Sequence, residues 1–125
     1  MPVVLVVEDE APLRVLALSV LQHAGYDTLS AGSVVEAKAI LEGDSKFDIV
    51  FTDINLEPDP QGGLTIGKLA GAQGRKVPVL YTSGKPVTDG MKELFAEKSE
   101  FLQKPYRDDQ LVQAIARLLR NANAN

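Results

Sequence analysis

The chain has 125 residues, 45% of them apolar, and a formal net charge of −4. That size suits one domain with a real core, and the acidic balance gives no support to direct nucleic-acid binding. The absence of cysteine removes disulfides, thiolate nucleophiles and cysteine-based zinc sites. No signal peptide is visible, and no apolar run approaches the roughly 20 residues that span a bilayer. The expectation is a soluble, cytoplasmic protein without membrane insertion.

A continuous apolar run, Val3 to Val7, predicts a first strand buried on both faces. Glu8-Asp9-Glu10 stand at its tip. Pro12 suits the first turn of a helix, and Leu13, Leu16, Ala17, Val20, Leu21 and Ala24 recur at helical spacing before Gly25 ends it. Tyr26 to Leu29 predicts a second strand. Ser33 with Glu36 predicts a capped second helix, whose apolar stripe is Val34, Ala37, Ile40 and Leu41. A third strand runs through Ile49-Val50-Phe51 to end at Asp53. The segment 57–63 is dense in turn residues, and a third, glycine-weakened helix follows from Leu64.

Val77 to Thr82 predicts the fourth strand, and the stretch Asp89 to Lys98 contains a fourth helix carrying Met91, Leu94 and Phe95. Glu100 to Gln103 predicts a short fifth strand before Lys104-Pro105. Asp108 or Asp109 then caps a last helix with Leu111, Ile115, Leu118 and Leu119 inward, and 121–125 is a frayed polar tail. Five strand–helix units with short connections predict an α/β fold, a doubly wound five-stranded parallel sheet, as a single domain over 1–125. In such a sheet ligands bind outside the carboxyl ends of the strands.

Those ends carry the chemistry. Glu8, Asp9 and Asp53 repel one another unless a cation joins them or their pKa values rise. A hard divalent ion such as magnesium (Mg2+) satisfies oxygen ligands of this kind. Taken alone, the acidic triplet also reads as a dipole-favoured helix start, and Asp53 as the cap of a turn. Asp53 is equally a candidate nucleophile, because carboxylates form aspartyl phosphates. Ser83 and Gly84 offer a hydroxyl and an open backbone N–H to a phosphoryl oxygen, or form an ordinary turn. Lys104 can neutralise phosphoryl charge, or lie solvated.

Four separated pieces carry a resemblance: Val6-Val7-Glu8-Asp9-Glu10, Asp53-Ile54-Asn55, Thr82-Ser83-Gly84 and Phe101-Leu102-Gln103-Lys104-Pro105. In this order and spacing the chain resembles the receiver domain of two-component response regulators, over essentially its whole length. The resemblance implies a flavodoxin-like (CheY-like) sheet of order 2-1-3-4-5. It implies a phosphoprotein of signal transduction, accepting a phosphoryl group from a histidine kinase or a histidine phosphotransfer protein of a phosphorelay. Asp53 is then the phosphoacceptor, and Asp9, Glu8, Asp53 and the Asn55 carbonyl bind magnesium. Ser83 and Lys104 hold phosphoryl oxygens, while Ser83 and Phe101 form a switch. Such a domain is not a conventional enzyme: its phosphoryl transfer and slow dephosphorylation are self-catalysed.

The chain departs from the family pattern in places. Glu8 replaces a more usual aspartate, and the loop after Asp53 is a residue or two longer, with Gly62-Gly63 where one glycine often stands. Asn55 and Lys85 occupy positions that in the family tune the lifetime of the phosphorylated state. His23, the only histidine, reads as a solvated helix-end residue.

Three rival readings use the same residues. A degenerate receiver would act as a phosphorylation-independent binding module, but every key side-chain type is present. A haloacid dehalogenase-type phosphatase would need an aspartate at Asn55 and its nucleophile on the first strand. A flavodoxin-like nucleotide binder would need a Ser/Thr/Gly-rich loop where Glu8-Asp9-Glu10 stand. No room for an output domain is expected after Leu119, so a whole protein would act through a downstream protein target or by passing the phosphoryl group onward, and a fragment would come from a hybrid kinase or larger regulator. Met91, Phe95 and Tyr106 are candidates for its surface, with core preferred for Phe95, and a homodimer is compatible.

Overall fold

A computed structural model describes residues 1–72 and 76–123. The elements are β1 (Val3–Val7), α1 (Ala11–His23), β2 (Asp27–Ala31), α2 (Val34–Glu42), β3 (Ile49–Asp53), α3 (Gly62–Ala72), β4 (Val79–Ser83), α4 (Asp89–Lys92), β5 (Ser99–Gln103) and α5 (Asp108–Asn123). The five strands form one sheet of order β2-β1-β3-β4-β5. All four ladders are parallel. The predicted architecture and strand order are therefore both present.

The strand runs are apolar throughout because both faces are covered. Leu5, Val7, Val50, Val79 and Tyr81 point to one face, where α2 and α3 supply Ala37, Leu41, Leu64, Ile66 and Ala70. Val4, Val6, Ile49, Phe51 and Leu80 point to the other, against Ala17 and Leu21 of α1 and Leu111, Ala114, Ile115 and Leu118 of α5. Side chains alternate with period two along each strand, so a run of five apolar residues feeds both cores.

Local chemistry explains the helix ends. Ser33 Oγ accepts the Glu36 N–H at 3.1 Å, as expected of the cap. The Glu36 carboxylate returns to Gly32 N–H at 2.9 Å, one residue before the cap. Gly25 ends α1 with φ +99°, which L side chains rarely adopt.

Several boundaries differ from expectation. β2 runs Asp27–Ala31, because it is registered against β1 from Val3↔Asp27 to Val7↔Ala31 rather than by its own apolar content. β4 extends to Ser83, which pairs with Gln103, so Ser83 lies in the sheet and not in the loop. α3 begins at Gly62, and the predicted turn loses its last two residues to the helix. α4 is one turn, Asp89–Lys92. Leu94 and Phe95 follow it: Leu94 is exposed, and Phe95 stacks on Tyr81 with ring centroids 4.2 Å apart. The Tyr81 hydroxyl accepts the Ala96 N–H at 2.8 Å, anchoring the segment that α4 leaves.

Neither Asp108 nor Asp109 caps α5. Arg107 stands at the cap, its N–H bonded to Gln110 Oε1 at 2.8 Å, and the aspartates sit in the first turn where the dipole favours them. The helix continues to Asn123, so the expected frayed tail is helical up to there; 124–125 lie outside the described residues. Leu13 and Leu16 are exposed and line a groove with Pro105 and Tyr106 instead of joining the core.

Gly63 carries a structural prediction. A Cβ there would overlap the backbone carbonyl of Asp53, and Gly63 N–H already bonds Ile54 C=O at 2.9 Å. Backbone cannot yield as a side chain can, so Gly63→Ala is expected to cost about 3 kcal/mol, the upper range for overpacking. Thermal unfolding should fall by roughly 10 °C for a domain of this size. An unchanged melting temperature would refute this packing.

Candidate functional site at the strand tips

The site is built by the ends of β1, β3, β4 and β5. Glu8 directly follows β1, and its N–H still reaches Ala31 C=O at 3.1 Å. Asp53 closes β3, paired with Thr82, and Ser83 closes β4. Lys104 follows β5, its N–H on Ser83 C=O at 3.0 Å. A parallel sheet places these ends on one edge, so residues distant in sequence converge.

Lys104 Nζ lies 2.7 Å from Asp53 Oδ2 and 2.9 Å from Glu8 Oε1. Both carboxylates are nearly buried, with side chains 9% exposed against 21% for the lysine. Asp9 is half-buried and accepts the Glu57 N–H at 3.0 Å. Asp53 Oδ1 accepts the Asn55 N–H at 3.2 Å. Ser83 Oγ accepts the Lys85 N–H at 3.0 Å. Asp9, Asp53, Asn55, Ser83, Gly84, Lys85 and Lys104 line one open cleft of about 310 Å3.

The electrostatics follow from burial and pairing. Burial pushes the Glu8 carboxyl up, and the Lys104 ammonium opposes it only in part. For Asp9 burial also acts upward, but the Glu57 N–H and a hydrogen bond shared with Glu8 outweigh it and hold the group low. Lys104 is desolvated, which would lower it, yet its bonds to Asp53 and Glu8 win and raise it well above an ordinary lysine. Beside them, burial pushes the Tyr106 phenol up to about 12, its ring edge-on to Phe51 at 5.9 Å.

Three carboxylates thus face one cation. Glu8, Asp9 and Asp53 each present an oxygen within 4.8 Å of the others, a donor set that suits a hard divalent ion. Asn55 Oδ1 is buried and lacks a partner among the described residues. These residues fit magnesium.

The sequence profile of the response regulator receiver domain matches residues 4–116. This chain belongs to the response regulator receiver family. The receiver is 32% identical to a probable transcriptional regulatory protein of Picosynechococcus sp., over 94% of this chain and 49% of that one. It is also 32% identical to SphR of Synechococcus elongatus, described as an alkaline phosphatase synthesis transcriptional regulatory protein, over 95% of this chain and 49% of that one. It spans about half the length of the curated relatives it matches. Among solved structures, a response regulator receiver protein from Sinorhizobium medicae superposes with a TM-score of 0.88 at 27% identity, covering 98% of this chain and 97% of that chain. The chemotaxis response regulator CheY4 of Vibrio cholerae gives 0.81 at 25% identity, covering 94% of this chain and 98% of that one. No helix among the receiver's described residues is long and apolar enough to cross a membrane.

Within the receiver, Glu8, Asp9, Asp53 and Lys104 come together as the spacing suggested, and Ser83 and Asn55 join their cleft. Phe101 does not line it: it is half-buried in β5, in register with Tyr81 on the α3 and α4 side. Met91 and Phe95 are half-buried on that core and Tyr106 on the opposite one. His23 is exposed at the last turn of α1.

Three contributors escaped the sequence reading. The Glu57 N–H holds Asp9, the Thr82 hydroxyl bonds Leu102 C=O at 2.6 Å, and the Gln103 amide bonds Ser83 C=O at 2.9 Å. A backbone N–H carries no sequence signal, because any residue but proline supplies one. The Thr82 and Gln103 bonds depend on register, which no single segment reveals.

Proposed function

We propose that the receiver accepts a phosphoryl group on Asp53 from a phosphohistidine of a histidine kinase or phosphotransfer protein, and that this state alters binding to a downstream protein. The observation that carries the reading is Lys104 Nζ at 2.7 Å from Asp53 Oδ2, with Glu8 and Asp9 alongside. An Asp53 oxygen attacks phosphorus while the P–N bond breaks; the electron pair stays on the imidazole nitrogen, and the proton carried on the other ring nitrogen of the phosphohistidine lets the imidazole leave neutral. Lys104 then pairs with a phosphoryl oxygen, and the Ser83 hydroxyl donates to another. Ser83 lines the cleft but is only 5% exposed, so its hydroxyl reaches a phosphoryl oxygen by a small shift of the β4 tip. Phe101, next to β4, turns inward as that tip moves.

Glu8, Asp9, Asp53 and the Asn55 carbonyl would hold magnesium, which supplies positive charge against the developing phosphoryl oxyanions. The same arrangement supports slow self-catalysed dephosphorylation, with water admitted past Asn55 and Lys85 on the cleft wall. The receiver is a signalling module rather than a conventional enzyme.

The test is intact mass after incubation with acetyl phosphate. One added phosphoryl group is expected with magnesium, and none in excess chelator. Full labelling in chelator would remove the metal from the reading. No labelling, together with no binding of beryllofluoride and magnesium, would favour the phosphorylation-independent binding module.

A further inference from the structure

Arg14 is bound to the backbone of the acidic loop. Its Nη1 donates to Glu8 C=O at 2.8 Å, from one turn into α1. That carbonyl belongs to the peptide linking Glu8 to Asp9. The same loop is held at two further points, by Glu8 N–H on Ala31 C=O at 3.1 Å and Glu10 N–H on Glu8 Oε2 at 3.2 Å. Arg14 is half-buried, and its guanidinium lies against Gly32, just past β2. A Cβ on Gly32 would sit 2.8 Å from Arg14 Nη1 and 3.0 Å from Glu36 Oε1. Gly32 has no left-handed φ, so the space for the guanidinium, and not backbone conformation, is what glycine provides.

We infer that Arg14 is a positioning residue for the divalent-ion site, fixing the Glu8–Asp9 peptide so that both carboxylates face Asp53, and that Gly32 keeps the room this tether needs. The inference rests on the proposed metal-dependent receiver function. It makes a sign prediction that simple electrostatics reverses. Arg14 is a cation bonded to the backbone of the acidic loop, so deleting its charge alone would tighten magnesium binding. Losing the tether loosens it, as loss of an outer-shell partner commonly does, by about tenfold or more.

Gly32→Ala separates the two effects. It keeps the charge, and the atoms it presses, Arg14 Nη1 and Glu36 Oε1, are the far ends of flexible side chains, so the fold should survive with little change in melting temperature.

The experiment is magnesium titration by calorimetry on the full chain, with Arg14→Met, Gly32→Ala, the double variant and Arg14→Gln. Hydrogen exchange of the Glu10 amide is followed in metal-free protein. Expected are an about tenfold weaker magnesium affinity in Arg14→Met and in Gly32→Ala, and a double variant no weaker than Arg14→Met. Arg14→Gln, which restores a donor, should recover part of the loss. The Glu10 amide should exchange about tenfold faster in Arg14→Met. Magnesium binding as tight as the parent's, or tighter, in Arg14→Met would overturn the inference. So would single effects that multiply in the double variant. If the parent itself bound no magnesium, the proposed function would fall, and the Glu10 exchange would still decide the tether: unchanged exchange in Arg14→Met overturns it.

Discussion

An Asp53→Asn protein is expected to gain no phosphoryl group under conditions where the parent gains one. The amide has nearly the shape of the carboxylate, so packing at the end of β3 survives, and Asn55 N–H can still find the side-chain oxygen it meets at 3.2 Å. What disappears is the anionic oxygen that attacks phosphorus, since a neutral amide oxygen is a far weaker nucleophile. Lys104 keeps Glu8 as a partner at 2.9 Å, so no buried cation is stranded and the fold should persist. Intact mass and peptide mapping measure this directly. Labelling of the variant at the parental level would move the acceptor elsewhere.

Lys104→Ala is expected to act in opposite directions on two measurable quantities. Phosphoryl uptake should fall about 100-fold, the scale of losing one preorganised electrostatic group at a reacting centre. Magnesium affinity should rise, by about tenfold or more, because the ammonium occupies Asp53 Oδ2 and Glu8 Oε1 and repels a second cation. A loss of both would mean that Lys104 acts chiefly as a scaffold.

Stability of the metal-free variant should drop by about 2 kcal/mol. Breaking a fully buried pair costs roughly 3–5 kcal/mol, and the partial exposure of Lys104 reduces that. The pH dependence has a definite sign. The folded pKa of Lys104 is raised, so its stabilisation is complete below the ordinary lysine value of 10.5 and is lost only as pH rises through the folded value. The deficit of Lys104→Ala should therefore be constant through neutral pH. It should shrink in acid as the Glu8 carboxyl, pushed up by burial, takes a proton. Chemical denaturation across pH checks both limbs.

The curated relatives are named as transcriptional regulators, and this chain matches about half of each. The surface nearest the proposed switch pair, Ser83 and Phe101, is not a regular helix. α4 is one turn, and the following segment is held by Phe95 stacked on Tyr81 and by the Tyr81 hydroxyl on Ala96 N–H. Gly67 makes this possible, since a Cβ there would overlap the Tyr81 hydroxyl. A partner reading this face meets a loop pinned by one tyrosine of β4, the strand that also ends in Ser83.

The sequence by itself determined the α/β architecture and which side chains stand at the strand tips. Val3–Val7, Ile49–Val50–Phe51 and Val79–Leu80–Tyr81 are apolar enough to be buried on both faces, and only a parallel sheet with covering helices accommodates them. Once the sheet is parallel, every strand ends on the same edge, and the order 2-1-3-4-5, which the family resemblance implied and the structure has, brings Glu8, Asp9, Asp53, Ser83 and Lys104 together. Alternation of strands and helices made the shared edge legible, and the motif resemblance supplied the strand order.

Tertiary structure decided what depends on register and on the other side of a contact. β2 took its limits from pairing with β1, not from its own weak pattern. Ser83 became a strand residue through pairing with Gln103. Leu13 and Leu16 have helical spacing suited to a core, but no element covers them, because α5 packs on Ala17 and Leu21 beside them. The hold of the Glu57 N–H on Asp9 and of Arg14 on the Glu8 carbonyl joins a loop or a helix to the backbone of another element. Such bonds depend on where two chain segments meet in space, and residue identity along one segment does not encode that meeting.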